Sequence, residues 1–282
     1  MAATIRMAGG GDYEAFRRLM SELGVDDPIP TPERFTKEMA PAILVAEQTD
    51  ASREILGYVL YDVLSRVVYV RHLVSAPAAR RTGVGRALLH AVAEKARANG
   101  ATSWVINVKL DNVAAIALYE SVGFRKTTKV HAVRIDWADV ERVAKDVDGI
   151  SIDALSPGDD AAVETSLDLL CGQLASARAL GGRTFHVARH GDRYAGVCVF
   201  NPTFPGTYPF KAASPEIAFA LLRAARPHAP PDQTFVNMKL DDLEAVKHGI
   251  LAAGGTLRLE VQALEGALPL PSPGSSLGVV LS

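Results

Sequence analysis

The sequence predicts an α/β (α+β) protein in which one fold occurs twice, each copy a mixed, mostly antiparallel sheet flanked by helices. Three observations lead there. Three consecutive apolar, β-branched runs, Ile43 to Glu47, Ile55 to Leu64 and Val67 to Val74, are joined by tight polar turns, the pattern of an antiparallel meander. Helical periods then alternate with further strands as far as Trp137. Short anchors from the first half recur in the same order in the second.

In chain order, Thr4 to Met7 is a short strand, and Gly9-Gly10-Gly11-Asp12 turns into a helix with Asp12 as its expected N-cap. Tyr13 to Leu23 sets Phe16, Leu19, Met20 and Leu23 on one face. Asp26-Asp27-Pro28-Ile29-Pro30 is an acidic loop, and Thr31 caps a second short helix with Pro32 at its first position. After the meander, Arg86 to Ala98 spaces Leu88, Leu89, Val92 and Ala96 along a helix that Asn99-Gly100 stops. Trp104 to Val108 is a strand, Asn112 caps a helix to about Ser121, Gly123-Phe124 ends it, and a strand follows from about Thr127 to Trp137. Ala138 to Gly149 is polar, without a clear core face, and reads as a linker, so the expected domains are 1–140 and 148–282.

The second half reads as a worn copy. Gly158-Asp159-Asp160 echoes Gly11-Asp12-Tyr13, Ala195-Gly196-Val197 echoes Leu56-Gly57-Tyr58, and Asn237-Met238-Lys239-Leu240-Asp241 echoes Asn107-Val108-Lys109-Leu110-Asp111. The last pair shares Asn-x-Lys-Leu-Asp at a corresponding place, which points to an internal duplication.

The chemistry concentrates between Leu73 and Gly85. A strand is cut by Pro77, passes a small-residue turn and opens a helix at Arg86, and such a junction presents unpaired N–H groups at the positive end of a helix, where a phosphate is stabilised. Arg80-Arg81-Thr82-Gly83-Val84-Gly85 fits Arg-x-x-Gly-x-Gly, a pattern that is cheap alone and gains meaning from this setting.

About thirty residues on stands Asn112-Val-Ala-Ala115-Ile-Ala-Leu118-Tyr119, then Gly123-Phe124. With both segments present in this order and separation, the sequence resembles the GCN5-related N-acetyltransferases over roughly residues 3 to 137. The resemblance implies acetyl-CoA as donor and an amine of a small molecule or peptide as acceptor, joined by direct attack in a ternary complex. Arg80, Arg81, Thr82, Gly83, Val84, Gly85 and Arg86 would hold the pyrophosphate, the glycines letting the backbone approach. Leu73, Val74 and Ser75 would lie beside the pantetheine and the acetyl carbonyl, with the backbone near Val74 as oxyanion donor, and Asn112 would reach the cofactor as well as cap its helix. Tyr119 is the implied general acid: a phenol, ionising near pH 10, can give the departing thiolate its proton. His72 is the candidate base, with Tyr69 and Asp62 behind it. A non-catalytic acyl-CoA-binding or sensor protein is the alternative.

In the copy, Ala212 to Ala220 offers neither glycine nor arginine and sets Glu216 where phosphate would lie, Asp242 replaces the asparagine, and Lys247-His248-Gly249 falls where the Leu-Tyr pair should be. Residues 148–282 are therefore expected to bind no coenzyme A, and to line an acceptor pocket with Phe204, Tyr208 and Phe210 or to stabilise the fold. The duplication suits a monomer (an intramolecular pseudo-dimer) or a homodimer.

Composition sets the remaining expectations. With 48% hydrophobic and 22% charged residues the chain can bury a core, and a net charge of −2 provides no global field for nucleic acid or an anionic membrane. No run of roughly 18 apolar residues and no leader-like start occurs, and two cysteines fit a reducing compartment, so a cytoplasmic protein is expected. His186 and His190 lack the companions of a metal site, no metal is expected, and Pro269 to Ser275 reads as a turn-rich tail.

Overall fold

A computed structural model describes residues 3–24 and 28–270. Asp26 and Asp27 of the acidic loop, and the tail from Pro271 onward, lie outside the described residues. By internal contacts the described chain forms two compact units. Unit 1 contains 3–107, 112–126 and 264–270, and unit 2 contains 108–111 and 127–263.

Unit 1 is built from β1 (Ala3–Met7), α1 (Tyr13–Met20), α2 (Pro32–Arg34), β2 (Ile43–Gln48), β3 (Ile55–Leu64), β4 (Val67–Ser75), α3 (Val84–Ala98), β5 (Ser103–Lys109) and α4 (Val113–Ser121). Its strands lie in the order β1-β2-β3-β4-β5. The first four pair antiparallel, β2 to β4 as the meander predicted, and β4 pairs β5 in parallel. A parallel neighbour needs a crossover, and α3 supplies it, with Leu88, Leu89, Val92 and Ala96 all buried. On α1, Phe16 packs between the rings of Phe35 and Tyr58, at 4.8 and 5.0 Å.

Two caps can be compared with expectation. Thr31 accepts a hydrogen bond from the Arg34 amide at 3.2 Å, as predicted. Asp12 does not cap α1 through its side chain, because Gly10–Asp12 forms a 3-10 turn ahead of the helix. Its carboxylate accepts from the Gly9 amide at 2.8 Å and pairs with both terminal nitrogens of Arg6.

Unit 2 holds most of β6 (Arg125–Asp136), then α5 (Trp137–Val143), β7 (Ile150–Ala154), α6 (Asp160–Ser166), α7 (Gln173–Ala179), β8 (Thr184–His190), β9 (Arg193–Asn201), β10 (Gly206–Ala212), α8 (Pro215–Ala225), β11 (Phe235–Asp241), α9 (Glu244–Ala252) and most of β12 (Thr256–Ala267). Its strands run β12-β6-β11-β10-β9-β8-β7. Here too one step is parallel, β10 to β11, with α8 as the crossover. The strand that follows the first repeat's last helix thus belongs to unit 2, where Val130 to Asp136 pairs with Asp241 to Phe235. The closing residues of β12 belong to unit 1, where Leu268 donates to the Thr102 carbonyl at 3.0 Å.

The repeat is visible at atomic detail. A Cβ on Gly57 would meet the Val74 carbonyl oxygen at 2.5 Å, and one on Gly196 the Lys211 oxygen at 2.7 Å. The Ala76 amide donates to Leu56, and the Ala213 amide to Ala195. Gly123 and Gly254, each ending the repeat's last helix, have φ of +100° and +109°. One expectation is corrected: the stretch assigned to the linker begins with a helix, α5, whose Trp137 and Val140 are buried, the indole edge-on to Phe200 at 5.9 Å.

Candidate active site

β4 is the element that sets out the site. It pairs with β5 only through Val67–Val70 against Ser103–Ile106, while its pairing with β3 continues to Ser75 opposite Gly57. Among the described residues, Arg71–Ser75 therefore keeps one backbone edge free of a strand. The register with β3 shifts at Arg71, between the pairs Tyr61 with Val70 and Leu60 with His72, so a bulge lies where the free edge begins. Leu73, Val74 and Ser75 all stand beyond it.

From Ser75 the chain makes a 3-10 turn, Pro77–Ala79, and reaches α3 through two left-handed residues, Arg81 at φ +63° and Gly83 at φ +94°. Thr82 steadies the turn by donating to the Ala79 carbonyl at 2.7 Å. Gly83 is the N-cap of α3, and a Cβ there would meet nothing within 4 Å, so open space lies over the helix start. The amides of Val84, Gly85 and Arg86 are in the first turn, where a helix offers no internal acceptor. Gly85 serves packing: a Cβ would press on Leu118 at 3.0 Å and touch Ser75 and Leu73 at 3.7 and 3.8 Å. This glycine draws the end of β4, the start of α3 and the middle of α4 together.

Arg80, Arg81 and Arg86 are exposed. Arg80 pairs with Glu22 at 2.5 Å and Arg86 donates to Ser121 at 3.1 Å, whereas Arg81 has no side-chain partner among the described residues. Asn112 accepts from the Ala115 amide at 3.1 Å, the predicted cap.

Tyr119 is 5% exposed and meets Phe124 edge-on at 5.8 Å, and Phe124 in turn stacks on Trp104 at 4.2 Å. Burial pushes its phenol well above the ordinary range, so it stays protonated at any physiological pH. His72 is moved the other way: burial, helped by the adjacent Arg71, lowers it to about 4. Neither hydrogen bond nor ring contact joins His72 to Tyr119 among the described residues. The other base candidates are occupied, Tyr69 by the Asn107 amide at 3.0 Å and Asp62 by Arg71 at 3.3 Å. Sequence reasoning missed Tyr58, which touches His72, and Glu22, which holds Arg80.

An open cleft of about 600 Å³ beside α1, lined by Glu14, Arg17, Arg18 and Arg53 among others, shares no residue with these motifs. No group of three or more His, Cys, Asp or Glu among the described residues could hold a metal, and no described helix is long and apolar enough to cross a membrane.

The family model for the Acetyltransferase (GNAT) family matches residues 13–124, which span α1, β4, the glycine turn and α4. This region is a GNAT domain. A stretch of 53 residues is 49% identical to the ribosomal protein bS18-alanine N-acetyltransferase of Escherichia coli, covering 18% of this chain and 35%, about a third, of that relative. Over nearly the whole length, the fold matches a GCN5-related N-acetyltransferase from Sphaerobacter thermophilus, with TM-score 0.66, 16% identity and 96% of each chain covered. It also matches a tandem GNAT protein from the clavulanic acid biosynthesis pathway, with TM-score 0.57, 18% identity, and 94% of this chain and 96% of that one covered. The chain is a tandem arrangement of two GNAT-like folds.

The second GNAT-like fold keeps the frame and lacks the turn. Only Ala213 and Ser214 separate β10 from α8, Pro215 and Glu216 occupy the first helical turn, and Ser214 caps it from within by accepting from Ile217 at 3.4 Å. A Cβ on Gly249 would strike Pro215 at 2.5 Å, so α9 closes directly on that helix start. By register from Gly254, the position of Leu118-Tyr119 is taken by Gly249-Ile250, which begins at the last residue of the Lys247-His248-Gly249 stretch that the sequence set there. Phe210, expected in an acceptor pocket, is a buried core residue of β10, while Phe204 is exposed. His186 faces His228 at 5.4 Å.

Proposed function

We propose that the GNAT domain, in the first repeat (1–140), transfers an acetyl group from acetyl-CoA to an amine of a small molecule or peptide by direct attack in a ternary complex. The observation that carries this is the free edge of Arg71–Ser75 leading into an open, left-handed glycine turn at the start of α3. The fit is chemical: a diphosphate needs converging amides without side chains in the way, and a pantetheine amide needs an unpaired strand edge. Arg80, Arg81, Thr82, Gly83, Val84, Gly85 and Arg86 would hold the pyrophosphate, Leu73, Val74 and Ser75 the pantetheine, and Asn112 the start of α4 beside them. Bound acetyl-CoA would supply an activated acyl thioester.

Tyr119 is the proton donor in this reading, kept neutral by its burial and held in place by Phe124. The Escherichia coli relative, named for an alanine of ribosomal protein bS18, puts a peptide amine among the acceptors to try first. Residues 148–282 bind no coenzyme A and act as a structural partner. Incubating the full chain with acetyl-CoA and a panel of amines and peptides, with thiol release as readout, tests the proposal. Turnover with at least one amine is expected, with Tyr119→Phe lowering kcat by about 10²-fold or more while coenzyme A affinity changes little. Tight coenzyme A binding without thiol release across the panel would favour the acyl-CoA sensor instead.

A further inference from the structure

Tyr58 on β3 is completely buried, and its hydroxyl has one hydrogen-bonding neighbour among the described residues, Nδ1 of His72 at 3.4 Å. The two residues are diagonal neighbours on one face, since Tyr58 pairs with Val74 and Leu60 with His72, and their rings meet edge-on at 6.2 Å. The other ring against Tyr58, Phe16, offers no acceptor. A phenol carries one hydrogen to place. If Nδ1 bore the imidazole proton, the ring would donate to the phenol oxygen and the phenol's own hydrogen would be sealed in without an acceptor. If Nδ1 is bare, Tyr58 donates to it and both groups are satisfied, which puts the single proton of a neutral ring on Nε2.

We propose that Tyr58 locks His72 in its Nε2–H form, so that His72 meets an oxygen of the incoming acceptor as a hydrogen-bond donor and does not take the amine's proton. Placement agrees: His72 is the first residue of β4 past the bulge, on the stretch that β5 has left, and it is half-buried where Tyr58 is sealed. The adjacent Arg71 is tied to Asp62 and disfavours a proton on the ring, as burial does. The role of Tyr58 is positioning, since it acts through His72.

Two-bond nitrogen–proton correlation spectra of the 15N-labelled full chain without ligand test the tautomer, the His72 signals being assigned by their loss in His72→Gln. A protonated Nε2 and bare Nδ1 are expected from pH 5 to 8. In Tyr58→Phe the His72 midpoint should rise toward its ordinary value, because the neutral ring loses the donor that favoured it. A proton on Nδ1, or an imidazolium at pH 7, in the wild-type chain overturns the proposal even if Tyr58→Phe fails to fold. The kinetic arm rests on the acetyl-transfer reading: His72→Gln, which keeps a donor and has no basicity, should restore most of the roughly tenfold or greater loss seen in His72→Ala. Equal losses in both variants, of about 10²-fold as for a missing base, or no loss in either, contradict the donor role. A chain that acetylates nothing counts against the acetyl-transfer reading alone, because the spectra report the tautomer without turnover.

Discussion

The end of β4 and the end of β10 begin from the same construction and arrive at opposite results. Each strand turns a carbonyl toward a glycine of its neighbour, Val74 to Gly57 and Lys211 to Gly196, and each hands the chain to a crossover helix. After β4 the backbone takes Ala76–Gly83 to reach α3 and leaves open space above Gly83. After β10 it needs Ala213 and Ser214 alone, places Pro215 at the helix start, and α9 packs on it through Gly249. Duplication preserved the frame, whose glycines answer to packing. What it did not preserve is the turn, where Gly83 stands open at the proposed phosphate site.

This comparison can be broken most forcefully at Gly83. Its φ of +94° disfavours any side chain, and a carboxylate there would stand where phosphate is proposed, so Gly83→Glu should abolish the thermal shift caused by coenzyme A. Glu216→Ala, at the matching helix start of unit 2, should leave that shift unchanged and create no second site. A shift retained in Gly83→Glu would show that the turn is not the site.

A smaller effect should appear in both repeats alike. Alanine at Gly57 or Gly196 would force a Cβ to within 2.5 or 2.7 Å of a carbonyl oxygen, and each substitution should cost about 1–3 kcal/mol in denaturant unfolding. Coenzyme A affinity should fall for Gly57→Ala and remain for Gly196→Ala. Equal effects on affinity would mean that the two strand ends serve the ligand together.

The smallest difference concerns acid. Each unit has one histidine lowered to about 4, His72 by burial with Arg71 beside it and His186 by burial with His228 beside it. Between the ordinary histidine value near 6.5 and about 4, the unfolded chain binds protons that the folded chain refuses, so stability falls as pH falls, by at most ~1.4 kcal/mol per pH unit for each. Replacing either histidine with phenylalanine should flatten the acid limb of the stability curve by a similar amount. An unchanged limb would show that the ring in question titrates normally.

Much of this was legible in the sequence because it rests on local chemistry. The meander, the cap at Asn112 and the helix stop at Gly123 follow from periodicity and turn preference, and the repeat from Asn-x-Lys-Leu-Asp. The helix Trp137–Val143 was not legible, since its buried Trp137 and Val140 stand among charged residues and the pattern is too short to show a face. Nor was the membership of β6, because its pairing with β11 joins residues about a hundred positions apart. The contact of Tyr58 with His72 depends on the strand register and on a bulge at Arg71, neither of which has a local signature. Tyr119 was found by motif, yet its burial against the Phe124 and Trp104 stack needed the fold.

The central claim is that one chain carries two copies of the fold and one coenzyme A site. Calorimetric titration of the full chain with coenzyme A measures this directly. The account predicts one molecule bound per chain, lost in Gly83→Glu, and two molecules per chain, or one that survives that substitution, would contradict it.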